Sequence, residues 1–397
     1  KGSALYQVCV DPAEPAFKCT CPSRKFPCKH ALGLLLFTAT QPDVVPVGEP
    51  PVWLSEWLAK REQTARRKAA RAGADSDLDP EQQAKRAVAK DKRVAERQRK
   101  VEIGLEELER WLRDLVRQGL AHAQQQSARY WDGMAERLWD AQARGLANWL
   151  RELASIPASG EGWGERLLAQ LGSLYLLLEG HRRLDVLPEP LRADIRSRIG
   201  WSWQEADLPA DAWLRDRWLL VGQRGYEEEQ MRVRRSWLWG RHHDRLALVL
   251  DFAHQSQPMP PMAAPGTWLE AELGFFPSEY PQRALLRHAV AVEDQEMPTG
   301  LADGAALLDR YAAALARQPW LAVLPAAVAE ALPVRRESDT WFLRDAAAKL
   351  LPCHPGFIDA WRLLACSGGS PLTVFGEWNG QQFWPLSSWR DGQLTAF

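Results

Sequence analysis

The sequence predicts an α+β protein in three stretches: a small metal-stabilised finger at the N-terminus, a helical middle region, and a C-terminal antiparallel β-meander with helices. Three observations predict it. Three cysteines and a histidine crowd into "KCTCPSRKFPCKH", residues 18–30. Apolar residues recur at helical spacing between residues 81 and 200, and beyond Trp213 the pattern shortens to apolar runs separated by turns. With 397 residues, 46% of them hydrophobic, the chain is long enough for two or three cores.

The finger comes first, over residues 1–40. A Cys-x-Cys pair, six intervening residues and a Cys-x-His pair supply three thiolates and one imidazole, the number and softness of ligands that a tetrahedral structural Zn²⁺ takes. Cys19 and Cys21 would face opposite sides of a regular strand, so both reach one ion only through a knuckle-like turn, and Pro22 breaks strand pairing just after them. Pro27 keeps the chain extended before Cys28, and "HALGLLLF" begins a short helix with His30 near its first turn. Three thiolates, a neutral imidazole and Zn²⁺ leave one negative charge, which Lys18, Arg24, Lys25 and Lys29 can offset; the same cations could also touch phosphates. Other readings fit less well. Three core thiols beside a histidine are a rare coincidence, cysteines two apart bridge only with strain, and a catalytic zinc keeps a position open where four protein ligands close the shell. The expectation is one structural zinc ion on Cys19, Cys21, Cys28 and His30.

The longer string "YQVCVDPAEPAFKCTCPSRKFPCKHALGLLLF" resembles the SWIM zinc finger, and more closely the bacterial stand-alone branch of SWIM zinc finger family proteins. Carried over position by position, the family's ligands fall on the same four residues, and its fold implies a small ββα-like unit. "ALYQVCVD" alternates as the first strand should, with Tyr6, Val8 and Val10 on one face and Cys9 on the other. A weaker likeness continues over residues 113–153. The resemblance implies DNA binding or protein interaction, and for the bacterial members an association with MoxR-type AAA+ ATPases and von Willebrand factor A domain proteins.

Residues 41–80 read as a linker, rich in proline in "TQPDVVPVGEPPVW", with a short helix from Trp53 to Ala59 and a mobile, charged stretch over 60–80. The helical region, 81–200, opens with a long helix from Pro80 to about Leu120, capped by Asp79. Its second half carries a stripe of Val101, Leu105, Leu108, Leu112 and Leu115 or Val116. Further helices are expected over 127–154, with Trp131, Met134, Leu138, Trp149 and Leu153 on one face, and over 163–180. Residues 60–100 hold 14 Lys and Arg against 7 Asp and Glu, although the whole chain is near neutral at −1. That basic helix reads either as a backbone-binding surface for nucleic acid or as a solvated helix with i, i+4 pairs such as Glu96 to Lys100, and the solvated reading is favoured because no aromatic interleaves the charges.

Residues 201–300 form the β-meander region, with runs "WLLVGQ", "MRVRRSWLWG" and "LALVLDFA" between turns at "GYEEE" and "GRHHD". His242 and His243 fall in the second turn and read as surface residues, having no carboxylate at ligand spacing; Glu227 to Glu229 read as a solvated turn. Residues 301–397 are expected to be helical over 300–332 and 338–366, ending in a hairpin that turns at Trp378-Asn379-Gly380. Cys353, His354 and Cys366 read as ordinary thiols and a histidine rather than a second metal site, and no internal repeat is clear.

The chain has no P-loop, no Rossmann glycine fingerprint, no His-Glu-x-x-His and no Gly-x-Ser-x-Gly, so an enzyme is not expected. Six unevenly spaced cysteines make no disulfide framework and fit a reducing cytoplasm, and no apolar run reaches the length of a membrane span. The chain starts at Lys1, so residues before it can be missing. The functional expectation is a zinc-binding adaptor in a multiprotein assembly, with a MoxR-type AAA+ ATPase or von Willebrand factor A domain protein as the implied partner. The alternative is a DNA- or RNA-binding protein that uses the finger's basic rim and the basic helix.

Overall fold

A computed structural model describes residues 5–11, 16–23, 27–41, 48–73, 80–228, 231–255, 257–336 and 340–397. Arg24, Lys25, Asp79 and Glu229, and most of the proline-rich stretch after residue 41, lie outside the described residues. The chain divides into two compact units, one of residues 1–95 with 227–232 and 252–261, the other of the remaining residues.

In the first unit, β1 (Val8–Asp11) pairs antiparallel with β2 (Ala16–Cys19), Val8 opposite Cys19 and Asp11 opposite Ala16, and α1 (Lys29–Thr40) follows. This is the ββα arrangement expected. Helix α2 (Val52–Gly73) corrects the linker reading: the expected short helix from Trp53 runs on through residues 60–73. The stretch is rich in Ala, Arg, Lys, Glu and Gln, all strong helix formers, and Glu62 pairs with Arg66 one turn on at 2.6 Å. Polarity there marks a solvated helix rather than an unstructured chain.

Helix α3 (Pro80–Gln118) carries the basic segment. Residues 91–96 are exposed all round, and Lys100 reaches Glu96 at 3.5 Å, as a solvated helix requires. From Val101 onward its apolar stripe is buried, with Leu115 inside and Val116 out in solvent.

In the second unit that stripe packs against α5 (Ala128–Asp140), α6 (Arg144–Leu153), α7 (Trp163–Arg182) and α8 (Glu189–Ile199), after the short α4 (Leu120–Gln125). Trp131, Met134, Leu138, Trp149 and Leu153 all lie in this core. The single helix expected over 127–154 is two, because Gln142 takes φ 64° and the chain turns at residues 141–143.

Two antiparallel sheets follow. The first runs in the order β5-β4-β3-β6-β7, from β3 (Trp213–Glu228), β4 (Met231–Gly240), β5 (Arg245–His254), β6 (Trp268–Phe275) and β7 (Ala284–Val292). The second has the order β10-β9-β8-β11-β12-β13, from β8 (Leu324–Arg335), β9 (Trp341–Arg344), β10 (Leu350–Pro352), β11 (Leu372–Trp378), β12 (Phe383–Arg390) and β13 (Gln393–Ala396). Helix α9 (Gly304–Arg317) precedes the second sheet, and α10 (Ala360–Ser367) joins β10 to β11.

The helical reading of residues 300–332 and 338–366 holds for α9 and α10, and the second sheet corrects it for β8, β9 and β10. "LPAAVAEALPVR" has alanines that favour helix, but it is the central strand β8, paired with β11 on one side and β9 on the other. Burial on both faces explains a near-continuous apolar run without alternation, and Pro325 and Pro333 disfavour a helix interior. The hairpin at Trp378-Asn379-Gly380 is present, with Gly380 at φ +96°, a conformation that favours glycine. Gly225 to Glu228 of "GYEEE" continue strand β3 rather than turning, and Glu229 lies outside the described residues.

The two sheets share a wiring that the sequence does not display. In each, the first strand is internal, the next two add on one side and the following strands on the other, two in the first sheet and three in the second. They pack on each other through Leu219, Val221, Trp237 and Trp239 from the first sheet and Phe375, Leu386 and Trp389 from the second. Trp237, Trp239 and Trp389 are therefore core residues. No helix among the described residues is long and apolar enough to cross a membrane.

Candidate metal centre

The local chain path brings the four sequence-expected ligands together. Cys19 ends β2 and Cys21 follows in a bend, while the amide of Thr20 donates to the Gln7 carbonyl at 3.1 Å and its hydroxyl accepts from the Gln7 amide at 3.0 Å, holding that bend against the approach to β1. Cys28 is the N-cap of α1, and His30 lies in the first turn, its ring 5.1 Å from that of Tyr6. The ligand atoms of Cys19, Cys21, Cys28 and His30 all lie within 4.8 Å of one another, with Cys19 Sγ 3.8 Å from His30 Nδ1.

The Cys19–His30 separation of 3.8 Å matches a tetrahedral zinc, and the rest of the set lies within about 1 Å of that geometry. Bonds of about 2.3 Å to sulfur and about 2.0 Å to nitrogen give tetrahedron edges of roughly 3.5–3.8 Å. The donor chemistry agrees. Burial first, and then the neighbouring Cys21 and Cys28 thiols, hold the Cys19 thiol up at about 11. Burial opposes ionisation of Cys28 too, but the amides of Ala31 and His30 at the start of α1 and the Cys19 and Cys21 thiols outweigh it and lower its pKa. A divalent cation relieves this crowding by taking the sulfurs as thiolates. When bound it acts as a structural tie, since four protein donors leave no position for water.

The finger needs such a tie. Among its described residues only Cys9, Cys28 and Ala31 are buried, too few to form a hydrophobic core. Cys9 faces away from the ligands, and burial raises its pKa. Lys18 and Lys29 are exposed beside the site.

The other metal candidates stay apart. Cys353 is buried, its thiol pushed up to about 12 by desolvation; His354 stacks on Trp384 at 4.4 Å, and Cys366 is exposed. His242 and His243 do have a carboxylate, which local spacing could not reveal. Asp216, on β3 and 26 residues upstream, accepts from His242 Nδ1 at 2.6 Å and stands 2.8 Å from His243 Nδ1. Among the described residues the finger is the one group of three or more such side chains arranged to hold an ion.

A closed Cys₃His shell on a ββα unit without a core of its own defines a structural zinc finger. The family model for the SWIM zinc finger matches residues 18–38, spanning all four ligands, and that for the SWIM-associated four-helix bundle domain matches residues 96–199, the helical core from the second part of α3 to α8. The chain thus carries a SWIM zinc finger together with a SWIM-associated four-helix bundle domain. Neither the curated proteins nor the solved structures give a match.

Proposed function

We propose that this protein is a non-catalytic, cytoplasmic adaptor whose finger docks a protein partner in a larger assembly, with a MoxR-type AAA+ ATPase as the partner of choice. The observation that carries this reading is the outer face of α1. Leu32, Leu36 and Phe37 are 43%, 63% and 40% exposed, within the two turns that follow the zinc ligand His30. A helix this short gains little from leaving three large apolar side chains in water unless they meet a partner. The closed ligand shell supports a structural role for the metal, and the resemblance to family members that accompany such ATPases supplies the partner class.

The test is co-purification with the co-expressed ATPase, with and without nuclease and at low and high salt. A partner retained through nuclease and salt, and released by Leu36→Glu with Phe37→Glu while zinc stays bound, is the expected result. Recovery of nucleic acid that is lost at high salt would instead favour the basic helix and finger rim as a DNA or RNA surface.

A further inference from the structure

The segment between β6 and β7 separates two clefts of the second unit. One, of about 370 Å³, is lined by Arg245, Arg310 and Arg317. The other, of about 240 Å³, is lined by Arg198 and Arg283 beside Phe276. Tyr280 and Gln282 line both, so the clefts adjoin.

These five arginines differ from those on the sheet strands nearby. Arg215 pairs with Glu270, Arg234 with Asp251, Arg235 with Glu377, and Arg287 with Glu272. Among the described residues, Arg198, Arg245, Arg283, Arg310 and Arg317 have no carboxylate within ion-pair distance; Arg245 donates only to the Pro281 carbonyl, at 3.4 Å. Two buried donors add to the surplus, since Arg198 Nε and Gln282 Nε2 have no hydrogen-bond partner. Burial lowers the pKa of Arg245 and Arg283, as expected of cations held without a counter-charge. Two carboxylates share the lining, Asp194 and Asp244, and each is hydrogen-bonded to neutral donors rather than paired with an arginine. Asp194 accepts from Gln318 Nε2 at 2.8 Å and from the Glu279 amide at 2.9 Å, and Asp244 accepts from Trp239 Nε1 at 2.7 Å.

The aromatic contacts narrow the ligand. Arg245 lies 3.6 Å over the Phe275 ring, Arg283 5.2 Å over Phe276, Arg317 5.8 Å over Tyr280 and Arg198 4.1 Å over Trp149. A guanidinium stacked on a ring keeps its N–H edge free for an oxyanion. The same stacking occupies the ring faces that a nucleobase would need, which argues against single-stranded nucleic acid. We propose that the adjoining clefts bind a multivalent oxyanion, the phosphate groups of a small phosphorylated ligand, between Arg245, Arg310 and Arg317 on one side and Arg198 and Arg283 on the other.

Calorimetric titration of the full zinc-loaded chain with pyrophosphate, at fixed ionic strength, tests this. Saturable binding is expected, weakened about tenfold or more by Arg310→Gln with Arg317→Gln and unchanged by Arg362→Gln, whose guanidinium stacks on Phe397. Arg310 and Arg317 are exposed on α9, so the double variant should keep the wild-type melting curve. Citrate added as competitor separates the sources of the anion: no displacement assigns phosphate, and displacement at equal concentration assigns a polycarboxylate bound by the same arginines. Absence of saturable pyrophosphate heat in the wild type, or undiminished heat in the double variant, overturns the site.

Discussion

Arg235 Nε on β4 meets Glu377 Oε1 on β11 at 2.7 Å, so an ion pair ties the first sheet to the second inside their interface. Trp237 Nε1 donates to the same oxygen at 2.8 Å, and Arg224 approaches the other oxygen at 3.4 Å. The Glu377 side chain is 2% exposed. Glu377→Ala leaves two half-buried guanidiniums without their counter-charge, a change that costs about 3–5 kcal/mol when one partner of a buried pair is removed. Urea unfolding followed by tryptophan fluorescence should show that loss, with Glu377→Gln in between because an amide oxygen still accepts from Trp237. A midpoint for Glu377→Ala equal to the wild type would mean the pair is no tie between the sheets.

The finger should behave as a separate metal-dependent unit. Cys28 is both a zinc ligand and the N-cap of α1, where its side chain makes no capping hydrogen bond, so Cys28→Ser removes one metal donor of four while keeping a residue able to cap the helix. Zinc content should fall from one per chain to near zero, and limited proteolysis should open residues 5–41 while the helical core and both sheets stay protected. If the variant keeps its zinc and its protection, the ligand set is wrong.

The finger was legible in the sequence because its chemistry is local: four ligands within a dozen residues, with Pro27 and a helix start between them, specify the site before any long-range contact forms. The helical core was legible through the stripe from Val101 to Leu115, where period and burial coincide. The second sheet was not, because β8 is buried on both faces and its alanines carry no period-2 signal; pairing with β9 and β11 decides its conformation. The carboxylate beneath His242 and His243 lies a strand away in sequence, and the five unpaired arginines come from α8, α9, β5 and the β6–β7 connection, so neither group forms a run that can be read along the chain.

Close packing between the sheets makes a second point of sensitivity. A Cβ placed on Gly222 would sit 2.9 Å from Leu386 Cβ and 3.0 Å from the Phe375 ring, inside ordinary contact distance. Neither neighbour can yield easily, since both are buried in the shared core. Gly222→Ala should therefore destabilise the second unit by about 1–3 kcal/mol through overpacking rather than add helpful apolar surface. Differential scanning calorimetry decides this, a raised melting temperature being the contrary result.

Asp216 gives the first sheet an acid limit. Its side chain is fully buried, yet it accepts from the His242 amide at 3.2 Å and the Arg217 amide at 2.7 Å as well as facing both imidazoles. Burial raises its pKa, but the contacts from His243 and His242 and then the amides outweigh that and bring it below the ordinary carboxylate value. A carboxyl depressed in the folded state adds stability that is fully present above its unfolded pKa of about 3.9 and is lost as pH falls through the lower folded value. Unfolding free energy should therefore decline below about pH 4, with a shallower decline in Asp216→Asn, which has no proton to take up. Asp216→Asn should also cost about 1–3 kcal/mol near neutral pH, because its amide replaces one accepting oxygen with an NH2 donor that faces donors already in place. Acid titration of both proteins by near-ultraviolet circular dichroism compares the slopes, and parallel curves would remove Asp216 as their cause.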